Sequence, residues 1–161
     1  KYASSSISLT NIKKYVNTKV GIDFNLMIYK LVYSIRMNGY DIKNSDIIVT
    51  HIHSLLLKLI IFKNLGITPI FLFDGKPPDI KSRVLNKRKE SWKKLTKKYE
   101  DAKTEEDKKK YFYTKSDITE KELNDCKYLI KIFGFQVINA PQEADSQLAY
   151  LSKKNLIQYI I

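Results

Sequence analysis

Hydrophobic and polar positions change rhythm several times along the chain, and each change marks an element. Lys19-Val20-Gly21-Ile22 runs straight into Asp23 and reads as a short buried strand. Over 24–37 the spacing becomes helical, with Met27, Ile28, Leu31, Val32 and Ile35 on one face, and Gly39 breaks it. A second helix is expected over 46–65, stopped by Gly66. The apolar run 67–73 is a strand that ends at Asp74-Gly75 and the Pro77-Pro78 turn. Helix formers fill 79–101, but Val84, Leu85, Trp92, Leu95 and Tyr99 give that helix only a thin apolar stripe. The stretch 102–117 is more polar still and reads as a mobile, partly helical surface excursion. Thr119 and Glu122 form a capping box opening a helix to about 133, closed by Gly134. A strand over 135–138, a helix over 142–153 and a strand over 156–161 complete the pattern. Strands separated by helices imply an α/β fold whose mostly parallel central sheet is wrapped by helices.

Composition narrows the partners. A chain of 161 residues is one domain or one lobe of a larger one. Its net charge is +12, and residues 76–110 alone contribute 14 Lys/Arg against 7 Asp/Glu. That excess favours a polyanion, nucleic acid before membrane. No apolar run approaches the ~18 residues of a membrane span, and the first residues lack a signal peptide's apolar core. Cys126, the one cysteine, excludes an intramolecular disulfide or a Cys-based zinc cluster, and a reducing compartment fits best.

The candidate chemistry lies where strands end. Asp23 and Asp74 follow two of the strands, and Glu143 and Asp145 follow a third, just after Ala140-Pro141. In a parallel sheet those ends share one edge, where ligands bind. Four carboxylates gathered there raise each other's pKa unless a cation neutralises them. All-oxygen ligands suit Mg²⁺ or Mn²⁺, and pairs of such ions ~3.5–4 Å apart hydrolyse phosphodiesters. Residues i and i+2 of a helix point in nearly opposite directions, so Glu143 must precede the regular helix. Each acid also has a plain structural reading: Asp23 as a helix cap, Asp74 as turn chemistry, Glu143 as a first-turn residue favoured by the helix dipole. Lys81 and Arg88, seven apart, share a helix face near the acids, or else belong to a solvated basic face. Tyr29 and Arg36 have the same spacing; Tyr29 either stacks on a base or finishes the core. His51 and His53 do not share a helix face, which argues against metal ligation, and Cys126 reads as a small buried apolar group.

Two longer motifs carry a family resemblance. Asp74-Gly75-Lys76-Pro77-Pro78 with Lys81 and Arg88, and Ala140-Pro141-Gln142-Glu143-Ala144-Asp145 with Gln147 to Leu151, resemble the signatures of the flap endonuclease/XPG superfamily of structure-specific 5′-nucleases. Gly21-Ile22-Asp23 with Met27, Ile28 and Tyr29 is similar to its N-terminal motif, and Asn124-Asp125-Cys126-Lys127 to the helix returning from its arch. The resemblance implies a PIN-like 5′-nuclease fold, truncated, with an N-terminal motif over 1–82, a basic helical arch or cap over 83–116 and the start of an internal motif over 117–161. It implies Asp23, Asp74, Glu143 and Asp145 as ligands of two Mg²⁺ or Mn²⁺ ions. Lys81 and Arg88 would reach the scissile phosphate and Tyr29 would stack beside it. Lys58 stands where relatives often carry an arginine that contacts duplex DNA, and Arg36, Lys76, Arg83, Lys87, Lys97 and Lys98 are further DNA-binding candidates. The implied substrate is DNA with a 5′ flap or a single-strand/double-strand junction, cut as endo- or exonuclease.

Relatives begin Met-Gly-Ile and continue past the fourth strand into further aspartates and a helix–two-turn–helix motif. Asp145 stands where many of them have Glu. The chain alone is therefore expected to bind metal weakly and to cut slowly or not at all. A sliding clamp, reached through segments outside this chain, and a nuclear location in a cellular eukaryote are further expectations; otherwise the location is intracellular. No membrane partner is expected. The alternatives are a catalytically silent DNA-binding module on the same scaffold and a metal-dependent RNase.

Overall fold

The computed structural model describes residues 11–78, 81–115 and 117–161, and the side chains at 82–85 and 88 lie outside that description. Four parallel strands form the sheet: β1 (Lys19–Asp23), β4 (Thr68–Phe73), β5 (Gln136–Asn139) and β6 (Tyr159–Ile160), in the order β5-β4-β1-β6. The helices are α1 (Phe24–Arg36), α2 (Thr50–Asn64), α3 (Ser82–Glu100), α4 (Glu105–Tyr111), α5 (Glu120–Ile132) and α6 (Ala144–Lys153).

Strand alternation sorts the core into two layers. Phe71 and Phe73 of β4, with Val20 and Ile22 of β1, pack under α1, α2 and α5 against Ile28, Leu55, Leu59 and Ile130. Ile70 and Leu72 face the other way, onto Ala144, Leu148 and Leu151 of α6. β4 therefore buries both faces, and this explains its unbroken apolar sequence. Gly21 faces α6, and a Cβ there would stand 2.5 Å from both Leu148 Cδ2 and Ile157 Cδ1. The missing side chain lets α6 lie directly on β1.

Three expectations change. The helix expected over 46–65 begins only at Thr50, because Lys43–Asn44 (β2) and Ile47–Ile48 (β3) form a two-stranded antiparallel hairpin. Ser45 turns it in the left-handed region at φ 53°, and the β-branched isoleucines favour the strand. The last helix starts at Ala144, not at 142. The polar stretch after α3 is largely helical: Thr104 caps α4 by accepting from Asp107 N at 3.1 Å, and a 3-10 turn over Phe112–Lys115 follows. The Thr119–Glu122 capping box is present as expected.

Candidate active site

The parallel register delivers the acids to one edge. Asp23 pairs with Leu72 and Leu72 with Ile138, so β1, β4 and β5 end nearly level. Asp23 is the N-cap of α1, its Oδ1 accepting from Leu26 N at 2.9 Å. Asp74 leaves β4, and its Oδ1 accepts from Ala144 N at 2.8 Å, which ties the first turn of α6 to the strand end. Gly75 makes that approach possible, donating its N–H to Gln142 O. A Cβ on Gly75 would stand 2.3 Å from Ala140 O and 2.7 Å from Pro141 O. The two motifs thus meet through backbone, at a place where a side chain has no room.

Glu143 is the N-cap of α6 with extended backbone (φ −93°, ψ 140°), and Asp145 lies in the first helical turn. Glu143 is therefore outside the regular helix, as the i, i+2 spacing demanded. Burial holds the Asp23 carboxyl above its ordinary 3.8; the Leu26 N–H bond opposes this, and the charges of Asp74 and Asp145 push it further up. The charges of Asp74 and Asp145 therefore reach Asp23, second to its burial. Glu143 is engaged differently, its Oε2 lying 2.6 Å from Lys81 Nζ. Among the described residues, no three acidic, histidine or cysteine groups close around a point that could hold an ion. The donor set still fits a hard divalent cation in type and charge: carboxylates only, on one edge, with the charge on Asp23 disfavoured by burial and then by its acidic neighbours. Asp23, Asp74, Asp145 and, once released from Lys81, Glu143 are the residues that would hold it.

The basic candidates divide. Lys81, at the start of α3, reaches the acidic edge. The side chains of Arg83 and Arg88 lie outside the described residues. Tyr29 of α1 and Lys87 and Lys97 of α3 line a cavity of about 1500 Å³ between those helices, together with Leu26, Trp92 and Lys93. Lys76 and Lys98 are exposed, and Lys58 is half-buried on α2. Arg36 is a correction to the DNA-binding set. Its side chain is 6% exposed, its Nε lies 2.8 Å from Asp41 Oδ1, and its Nη1 donates to Lys115 O. It is spent on an internal ion pair and has no surface for phosphate.

Trp92 also lines the cavity; helical periodicity assigns it only to the thin apolar stripe of α3, and a lone tryptophan in a lysine-rich helix is the signal that marks it. His51 is buried between Glu122 (3.5 Å) and Asp125 (3.7 Å) and links α2 to α5. Burial, then Asp125 and Glu122, push the Cys126 thiol up to about 12, so it stays protonated and acts as a small apolar group.

Comparison with known proteins follows the same lines. A model of the XPG N-terminal domain matches residues 2–95. Flap endonuclease 1 of Naegleria gruberi is 35% identical over 159 residues, covering 96% of this chain and 41% of that protein. The solved flap endonuclease-1 from Methanococcus jannaschii superposes with a TM-score of 0.67 at 25% identity, over 99% of this chain and 53% of that one. The catalytic core of Rad2 in complex with DNA substrate superposes with a TM-score of 0.68 at 23% identity, over 98% of this chain and 41% of that one, a likeness of fold. The chain spans about two-fifths of the length of the curated relatives it matches.

Proposed function

Because the chain belongs to the flap endonuclease/XPG superfamily, we propose that its acidic sheet edge serves a divalent-metal-dependent nuclease acting on DNA with a 5′ flap or a single-strand/double-strand junction. The observation that carries this reading is the gathering of Asp23, Asp74, Glu143 and Asp145 at level strand ends, with Asp74 bound to the first turn of α6, near a cavity lined by lysines of α3. A bound Mg²⁺ or Mn²⁺ pair supplies activation of water and stabilisation of the leaving oxygen. The chain's own residues do the rest. Lys81 pairs with Glu143 at rest and exchanges that carboxylate for the incoming phosphate, leaving Glu143 available as a ligand. Its ammonium then faces the charge that grows on the phosphoryl oxygens. Tyr29 offers a ring to the adjacent base, and Lys87 and Lys97 attract the strand's phosphates.

The test is titration calorimetry with Mn²⁺ alongside cleavage of a labelled flap duplex. Loss of an outer-shell partner typically costs about 10–100-fold in metal affinity or activity, so Asp74→Asn, which removes a direct ligand, should cost about 100-fold or more. Unchanged Mn²⁺ binding by an Asp74→Asn, Asp145→Asn double variant would overturn the assignment. A second reading, a silent DNA-binding module, is favoured by one observation: Lys81 holds Glu143. Flap-DNA binding without any Mn²⁺ binding would select it.

A further inference from the structure

The cavity between α1 and α3 carries its charge unevenly. Four lysines line it, Lys87, Lys89, Lys93 and Lys97, and all of them stand on α3. The α1 wall contributes Leu26 and Tyr29 and no charge. The third wall is the segment 117–118, just before Thr119 caps α5, and there Asp117 stands beside Ile118. Aromatic rings fix these walls to one another: Tyr29, Tyr33, Tyr113 and Trp92 close a circuit with centroids 5.3 to 6.4 Å apart. The cavity's other acid, Glu100, stands on α3 itself, in its last turn.

Attraction of phosphate does not account for Asp117. Among the described residues no cation pairs with its carboxylate. Its charge reaches across to α1: burial first, then Tyr33 and then Asp117 hold the Tyr29 phenol above its ordinary 10.0. The acid thus acts into the cavity from a wall that the lysines do not occupy. At about 1500 Å³ this space exceeds the ~300–1,000 Å³ of small-molecule sites and suits a segment of polymer. A nucleic-acid strand has two unlike edges, phosphates on one and bases on the other. The lysines draw the phosphates to α3. A carboxylate repels phosphate, so the same strand turns its bases toward Asp117.

The chemistry of the carboxylate then selects among the bases. In a single strand the pairing edges are free, and only donors on them can meet an ionised acid. Guanine offers two adjacent donors, N1–H and N2–H, which match the two carboxylate oxygens as a guanidinium fork does. Cytosine and adenine each offer one amino group beside a ring nitrogen whose lone pair repels the acid. Thymine offers one N–H between two carbonyl oxygens. We propose that Asp117 is a base-reading residue, which gives a single strand in this cavity a preference for guanine at one position. The proposal rests on the nuclease reading for its substrate class, DNA, but it needs neither metal nor hydrolysis.

The experiment measures the anisotropy of labelled oligothymidylate, in EDTA at low salt, with and without a single central guanine. The strand can slide until its one guanine meets Asp117, so the register need not be known. A hydrogen bond to a charged group is worth about a decade in affinity, so the guanine strand should bind about tenfold tighter. Hypoxanthine in place of guanine keeps N1–H and loses the amino group, and should fall between the two. Asp117→Asn should erase most of the difference. It should also tighten binding of the all-thymine strand, because a charge that repels phosphate is gone. Asp117 is exposed, and thermal melting of the variant should match that of the parent. Damage to the arch would instead weaken every strand alike and lower the melting temperature. Equal binding of the guanine and thymine strands by the parent overturns the proposal and leaves the nuclease reading standing. A guanine preference that survives Asp117→Asn overturns it too. If no strand binds, the proposal falls as well, and the Mn²⁺ titration decides the nuclease reading by itself.

Discussion

The acidic edge and the basic arch are built by different means. At the edge, backbone does the positioning: level strand ends, an N-cap on Asp23, the Ala144 N–H on Asp74, and the crossing of two loops at Gly75. In the arch, side chains do it. Lys115 lies over the rings of Tyr99 (4.5 Å) and Phe112 (5.5 Å), the aromatic circuit ties Trp92 and Tyr113 to α1, and Arg36 donates to Lys115 O. A Cβ on Gly39 would meet Lys109 Cγ at 2.7 Å, so α4 also rests directly on the turn after α1. An edge held by backbone tolerates changes of side chain and resists changes of path. An arch held by side chains has the opposite sensitivity, and its seat on α1 hangs on a few residues.

The strongest way to break that comparison is to remove Arg36. Its partner Asp41 is equally buried, at 6% exposure, and also accepts from Thr50 Oγ1 at 2.7 Å. Arg36→Ala leaves a buried carboxylate without its cation, a change that typically costs about 3–5 kcal/mol. Urea unfolding should show a loss of that size, whereas Lys98→Ala, on the exposed face of α3, should stay within about 0.5 kcal/mol. Proteolysis at the α3–α4 junction, 101–104, should also accelerate in Arg36→Ala. A loss below about 1 kcal/mol with unchanged proteolysis would show that the arch does not depend on this pair.

The same division explains what the sequence could reveal. β1, β4, α1 and α5 follow from local periodicity and capping, and strands that alternate with helices imply a parallel sheet that brings Asp23 and Asp74 to a common edge; the order of the strands in that sheet does not follow from any local pattern. That Glu143 precedes the regular helix follows from the i, i+2 argument once Glu143 and Asp145 are taken as ligands of one site, although the apolar pattern alone starts the helix at 142. The hairpin before α2 was hidden because Ile47-Ile48 fits an apolar helix face as well as a strand, and only the left-handed Ser45 decides between them. The ion pair of Arg36 is not legible in the sequence because its partner, Asp41, is five residues on, past the helix end, where helical spacing no longer indicates contact. The Tyr29–Trp92 pair joins residues sixty-three positions apart, whose contact depends on the path of the arch and on no local pattern.

A second test strikes the edge through its backbone. In Gly75→Ala the new methyl meets two carbonyl oxygens that cannot rotate away, and overpacking of this kind costs about 1–3 kcal/mol. Mn²⁺ binding should weaken with it, because Asp74 is displaced from Ala144 N. Trp92 emission should stay as in the unaltered protein, since among the described residues the close contacts of a Cβ at Gly75 are with Ala140 and Pro141, and Trp92 lies about three helical turns beyond the Lys81–Glu143 link. A shifted emission spectrum would mean that the two regions are mechanically joined, and the comparison would have to be redrawn.

The smallest expected effect is the most direct probe of how burial and the neighbouring acids act on Asp23. The folded-state pKa of Asp23 lies above its unfolded value of 3.8, chiefly through burial and then through Asp74 and Asp145. Between those two values the folded chain holds more protons than the unfolded one. Stability from this group therefore falls as pH rises through that window, and the full cost remains above the folded pKa. Asn is as good an N-cap as Asp, so Asp23→Asn can keep the bond from Leu26 N while losing the charge. The variant should be slightly more stable than the parent at neutral pH and show a shallower decline just above pH 3.8. Thermal melts across pH measure both. Mg²⁺ supplies the complementary arm: a cation at the edge relieves the same repulsion and binds only the folded chain, so it should raise the parent's melting temperature more than the variant's. If Asp23→Asn is instead less stable at neutral pH, with or without Mg²⁺, the N-cap charge outweighs the repulsion, and the edge is an ordinary set of helix and turn residues.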